Sequence, residues 1–272
     1  MTAMQETVSE NNNIETFDGV IHNREEILEK MIDDDFYYGY MGKNALSSSA
    51  IKTLMKSPNA YLDMLDGVQQ ESQPLRDGKL FHWCILEPEK FKNLNIVDVA
   101  SRNTNMFRIS EAENGESYTL REKEKAERLA AVLNRNNSAM ELVTDGTYEV
   151  PAVGMIKGVP FRGKADIILG DNIVDLKTTT DIRNFKYSAS KFSYDLQAYL
   201  YLQLFPECKQ FTFVCIDKNT LDIAIFECSE EFIESGKRKL ERGISDYKFF
   251  FQEETDIEQY VIRETLFPPY QS

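Results

Sequence analysis

Asp166, Asp175 and Lys177 are the residues of this chain best placed to do chemistry. They lie within GVPFRGKADIILGDNIVDLKTTT, which begins at Gly158. Asp166 ends one strand-like segment. Asp175 and Lys177 flank a single apolar residue, Leu176, at the end of the next. Strand alternation puts Asp175 and Lys177 on one face and Leu176 on the other. If Asp166 is on the adjacent strand, two carboxylates and an ammonium converge. Such a group seats Mg²⁺ or Mn²⁺, cations that prefer carboxylate, carbonyl and water oxygens, with the Leu176 carbonyl as a further ligand. A cation held there would acidify a water and offset charge on a phosphate, and Lys177 would orient the water. That chemistry is phosphodiester hydrolysis.

The acid-x-Lys tripeptide alone carries little weight. It recurs at Asp77/Lys79, Glu207/Lys209 and Asp246/Lys248. Only the Asp175 copy ends an apolar strand, follows a strand with its own aspartate, and precedes Thr178, Thr179 and a helix. The alternative is a surface Asp–Lys pair at a strand end. In the following helical pattern, Gln197 and Tyr201 are four residues apart and share a face. That face either turns to the acids or belongs to core and solvent. His82, in the apolar run KLFHWCIL, reads as a satisfied core histidine, with metal ligation the minority reading. Lys157, Arg162 and Lys164 either give the acids a basic edge or are solvated turn charges.

The elements that must position these residues follow from pattern. Residues 1–22 are polar and acidic, and read as a loose tail. Residues 23–92 read as helical. LSSSAIKTLMKSP starts with capping serines, and Pro58 opens the next helix. NLNIVDV reads as a strand, 101–117 as a mobile loop, and 119–136 as an amphipathic helix. From about 146 the order is β-β-β-α-β-β-α, with the helices at 188–205 and 229–251. The fold class is therefore mixed α/β, with one domain over 23–272: a helical part to 92 and a mixed-sheet core from 93.

The 272 residues carry a net charge of −14, which disfavours general nucleic-acid binding unless contact is local and metal-assisted. No apolar run is long enough to cross a membrane. The N-terminus lacks a secretory pattern, and Cys84, Cys208, Cys215 and Cys228 lack CxxC spacing. Reduced thiols in a cytoplasmic protein are expected, ahead of zinc or disulfides. No Walker or GxSxG motif is present.

GKAD(166), IVD(175)LK(177)TT and DLQ(197)AYLY(201) together resemble the PD-(D/E)XK nuclease superfamily, in its RecB-type branch. LSSSAIKTLMKSPNAYL and the Gly78-x-x-x-His82 spacing are similar to RecE-like phage and prophage exonucleases. The resemblance spans roughly 45–205. It implies a restriction-endonuclease-like core, with Asp166 and Asp175 as metal ligands, joined by the Leu176 carbonyl already noted, and His82 as a ligand to a second metal. It further implies Lys177 as the catalytic lysine and Gln197 and Tyr201 as supports. The implied activity is Mg²⁺-dependent (Mn²⁺ substituting) exonucleolytic hydrolysis of double-stranded DNA ends, 5′ to 3′, leaving 3′ tails for recombination. A homo-oligomeric ring, a single-strand annealing partner and a phage origin in a bacterial cytoplasm come with it. Two other readings stand beside it: an endonuclease or flap-type nuclease on the same core, and a non-catalytic acidic protein on a nuclease fold.

Overall fold

The computed structural model describes residues 12–67, 72–253, 255–263 and 265. A hairpin, β1 (Asn13–Glu15) and β2 (Ile21–Asn23), leads to α1 (Arg24–Lys30), a π-helical turn (Asp35–Tyr40) and α2 (Met41–Asn44). Next come α3 (Ser48–Lys56), α4 (Pro58–Leu65), α5 (Gln73–Leu86) and α6 (Pro88–Lys92). β3 (Asn95–Val97), α7 (Asn105–Asn114) and β4 (Ser117–Thr119) precede α8 (Leu120–Leu133) and α9 (Asn137–Val143). The remainder is β5 (Thr147–Ile156), β6 (Val159–Leu169), β7 (Asn172–Thr179), α10 (Phe185–Lys191), α11 (Tyr194–Leu204), β8 (Gln210–Asp217), β9 (Ile223–Glu227) and α12 (Glu230–Tyr247).

Local chemistry explains several boundaries. The hydroxyls of Ser47 and Ser57 accept from the amides of Ala50 and Ala60, capping α3 and α4, and Pro58 takes the first turn of α4. Thr119 and Glu122 form a reciprocal capping box on α8. Ser229 caps α12, with Glu230 and Glu231 in its first turn.

β5 to β9 form one five-stranded sheet in chain order. Only β7 and β8 are parallel, because α10 and α11 form the crossover between them; every other pair is antiparallel. Alternation splits the sheet's side chains into two cores. Ile173, Phe211, Phe213 and Cys215 pack with Ile51, Leu196, Leu200 and Leu240 from α3, α11 and α12. Val174, Leu176, Val214 and Ile216 pack with Phe81, Leu129 and Leu133 from α5 and α8. Asp175 and Lys177 therefore share the α11 side, while Leu176 faces α5.

Three segments differ from the sequence pattern. From Asn13 the expected tail forms a hairpin, because Ile14 is buried and Thr16 bonds back to Val20. Residues 1–11 lie outside the described residues. The expected loop at 101–117 contains α7, capped by Thr104 and anchored by buried Phe107. The helix expected over 188–205 is broken between α10 and α11 at Ser193, whose φ is 54°.

α5 is fixed to α8 by a buried ion pair. Arg76 Nε donates to Glu122 Oε1 at 3.0 Å, and Arg76 also reaches the Ser117 carbonyl at 2.6 Å. Burial works against the Glu122 carboxylate. The Arg76 guanidinium, the Thr119 amide and Gln73 outweigh it and hold the group at about 2. A depressed carboxyl pKa contributes stability in full above the unfolded value of about 4.5, and that contribution drains as pH falls toward 2. Glu122→Gln is expected to cost about 3 kcal/mol at neutral pH. Urea melts of the two proteins should converge as pH approaches 2; a constant gap would place the stabilisation elsewhere.

Candidate active site

The site lies where β6 and β7 part. They pair only at Ile167–Val174, Ile168–Ile173 and Leu169–Asn172. The next step of that register would set Asp166 opposite Asp175. Instead the Asp166 side chain fills the gap, and its Oδ2 accepts the Leu176 amide at 2.8 Å. α5 packs across this end of β7. The His82 Nε2 meets the Leu176 carbonyl at 2.6 Å, and Nδ1 lies 3.4 Å from Asp166 Oδ2. The Leu176 peptide is thus gripped from both sides, and Asp175 precedes it by one bond.

On the α11 side, Gln197 Nε2 donates to Asp175 Oδ1 at 2.6 Å. Lys177 Nζ lies 2.6 Å from Asp175 Oδ2 as an ion pair. Oδ2 is buried with the rest of the residue, and the Lys177 ammonium is its partner. Lys177 also sits over the Tyr194 ring, 5.0 Å from its centroid. Burial, partly countered by Lys177 and reinforced by Asp166, pushes the Asp175 carboxyl up to about 6. Burial also pulls on Lys177, but Asp175 and Asp166 outweigh it and raise the ammonium above the ordinary lysine range.

His82, Asp166, Asp175, Leu176, Lys177 and Gln197 therefore meet at one point. Tyr201 does not join them through a hydrogen bond. Its hydroxyl accepts the Lys164 amide at 3.4 Å, and its ring lies against Gly163, where an added Cβ would come within 3.0 Å. It braces β6 two residues before Asp166. The expected basic edge is tied down in separate ways. Lys157 pairs with Glu241, Lys164 pairs with Asp34, and the Arg162 guanidinium stacks on Tyr37 at 4.3 Å.

One residue escaped the sequence reading. Glu149 on β5 brings a carboxylate oxygen within 4.8 Å of ligand atoms of His82 and Asp166, the three lying mutually within that distance. Burial, then Asp166 and Glu87, push its carboxyl up to about 8 against the pull of Lys164. A signal was available. Lys157 and Gly158 both have positive φ, forming a two-residue hairpin turn that pairs Ile156 with Val159. Counting back along that register sets Glu149 opposite Asp166.

The donor set suits a divalent cation. Oxygen and imidazole ligands predominate, and negative charge is concentrated at two points. The buried Asp175 carboxylate has the single Lys177 ammonium against it. His82 Nε2 donates to the Leu176 carbonyl, and its Nδ1 lies 3.4 Å from the Asp166 carboxylate, where a proton or a cation can join the two.

Residues 47–258 match the family described as a PDDEXK-like domain of unknown function (DUF3799). Among solved structures, a candidate exonuclease from Eubacterium rectale aligns with a TM-score of 0.63 at 16% identity. The alignment covers 86% of this chain and 95% of that one. A phage-related exonuclease from Haemophilus somnus 129PT matches at 16% identity with a TM-score of 0.32, over 58% of this chain and 92% of its own. No curated protein sequence matches. The family match spans most of the chain, and the first alignment shows a shared fold, so the chain belongs to the PDDEXK-like DUF3799 family and has a nuclease-type fold.

Proposed function

We propose that this chain is a divalent-metal-dependent deoxyribonuclease that hydrolyses phosphodiester bonds from double-stranded DNA ends. The carrying observation is the junction of Asp166, Asp175 and Lys177 where β6 and β7 part, with the Asp175 carboxylate buried against the Lys177 ammonium. PDDEXK nucleases use divalent metals. Here Asp166, Asp175 and the Leu176 carbonyl would hold Mg²⁺, or Mn²⁺ in its place, with His82 beside Asp166 as a ligand to a second ion. Once bound, the ion supplies Lewis acidity and neutralises charge on the phosphate. The rest is work for the chain's own groups. Gln197 fixes Asp175 Oδ1, so Oδ2, paired with Lys177, is the oxygen that would ligate. Lys177 stays an ammonium and can donate to the attacking water or to a phosphate oxygen. Lys52 of α3 is close enough that burial and the Lys177 charge hold its ammonium below the ordinary lysine range, adding a second cation near the phosphate path. Tyr201 keeps β6 in place. Cations confined to this point reconcile DNA contact with a net charge of −14.

The finer reading extends to 5′-to-3′ polarity with 3′ single-stranded products, a homo-oligomeric ring and a single-strand annealing partner. It places the chain in phage recombination within a bacterial cytoplasm, with residues 23–272 as one nuclease domain. In the described residues no helix is long and apolar enough to cross a membrane. Linear and covalently closed circular duplexes incubated with Mg²⁺ provide the test. Linear DNA should be degraded, the circle should survive, and EDTA should stop the reaction. Equal attack on the circle would replace the exonuclease reading with an endonuclease. Failure to cut either form with Mg²⁺ or Mn²⁺ would overturn the nuclease reading.

A further inference from the structure

We propose that Glu149 is a third protein ligand in a cation seat formed with His82 and Asp166, and that this seat takes Mn²⁺ in preference to Mg²⁺. The inference rests on the nuclease reading and deepens it.

Geometry carries it. Tyr148 pairs with Ile167 and Val150 with Ala165, so the β5–β6 register is continuous on both sides of Glu149 and Asp166, yet these two residues do not pair. At that point Glu149 turns to a φ of 50°, a left-handed conformation that L-residues avoid. The turn takes its side chain out of regular alternation, and the carboxylate ends beside His82 and Asp166. Two carboxyl groups and an imidazole nitrogen are thereby brought within 4.8 Å of one another. A backbone distortion that gathers three ligand-type side chains is unfavourable for the protein alone and favourable around a cation.

Asp175 adjoins this seat. Its buried carboxylate is held by Gln197 and the Lys177 ammonium, and it is joined directly to the Leu176 backbone that His82 and Asp166 both grip. Asp166 can then serve two ions, one toward Asp175 and the Leu176 carbonyl, the other toward His82 and Glu149. The second seat differs in chemistry. Imidazole is a poor ligand for Mg²⁺ and a good one for first-row transition ions, whereas the carboxylates accept either. One nitrogen and two carboxylate oxygens favour Mn²⁺, and two carboxylates balance its charge.

The test is Mn²⁺ titration of the metal-free full chain, followed by calorimetry and by loss of the free-ion paramagnetic resonance signal. Wild type should take up two Mn²⁺ per chain, and millimolar Mg²⁺ should displace one of them far more readily than the other. Glu149→Gln should take up one, with a metal-free thermal melt at or above that of wild type. Glu149→Asp keeps the charge but shortens the reach. It should restore the second equivalent at an affinity lowered on the order of tenfold. If Glu149→Gln does not fold, the tenfold loss in Glu149→Asp carries the test. Two equivalents of unchanged affinity in either variant would overturn the proposal, as would a wild type that binds one Mn²⁺. Each of these results leaves the nuclease reading standing. A wild type that binds no Mn²⁺ would remove both.

Discussion

Asp175→Asn should lose DNA cleavage by at least about 10³-fold, because the change removes one charge from the cation seat and several kcal/mol of charge stabilisation with it. The geometry makes Asp175 less replaceable than its neighbours. It is 1% exposed, so no water can stand in for the missing oxygen charge. Gln197 would still find an acceptor in the Asn amide oxygen, so the fold around the site should hold. Lys177 would not fare so well. Its ammonium, 18% exposed at the side chain, would be left with Asp166 as its nearest compensation. Breaking one half of a buried ion pair costs about 3 kcal/mol, taken at the low end because Lys177 keeps some solvent. That is a large share of a typical folding free energy but not all of it, so the variant should still be folded at low temperature. Cleavage of a linear duplex with Mg²⁺, measured beside a urea melt, separates the two effects. Wild-type cleavage by a folded Asp175→Asn protein would show that the site has been misplaced.

How much of this was legible in the sequence depends on which residues local pattern could reach. Asp175 and Lys177 were readable because strand alternation is a rule of covalent geometry, and the apolar run IVDL fixed which face was which. The strand order and the helical crossover were readable for the same reason, although one expected helix over 188–205 is two, α10 and α11: long, strongly periodic segments advertise themselves. His82 was not readable from composition. Its partner is the Leu176 carbonyl, 94 residues away, and only the packing of α5 across β7 brings them together. The resemblance to RecE-like exonucleases supplied what spacing could not. Glu149 failed for a different reason. A glutamate in an alternating strand looks like any solvent-facing residue, and its positive φ leaves no trace in residue type. Ser193 was equally opaque, since serine is not the residue one expects at a left-handed break. Where the hairpin offered a countable register, the information was present and required only arithmetic from Lys157 and Gly158.

Gly236→Ala should be the most damaging single methyl in the molecule. α12 crosses α11 at this glycine so closely that an added Cβ would lie 2.0 Å from the Asp195 carbonyl oxygen and 2.9 Å from the Tyr199 Cβ. Backbone is the obstacle, so no rotamer change can relieve it and the helices must separate. The contact is also chemically fastened. Ser235 Oγ donates to Asp195 Oδ2 at 2.8 Å, and Lys239 Nζ pairs with Oδ1 at 2.7 Å, both from α12. Separation would stretch these bonds as well as the apolar seam. A loss of about 3 kcal/mol or more is expected, at the upper end of overpacking effects. The consequence reaches the site, because Asp195 begins the helix that carries Gln197 to Asp175 and Tyr201 to the Lys164 amide. Cleavage per folded molecule should therefore fall together with stability, with the loss in kcat. Gly39→Ala is the control. Nothing lies within 4 Å of its added methyl, and the change should stay within about 0.5 kcal/mol. If Gly236→Ala melts like Gly39→Ala, then α11 is not held by this crossing, and Gln197 owes its position to something other than α12.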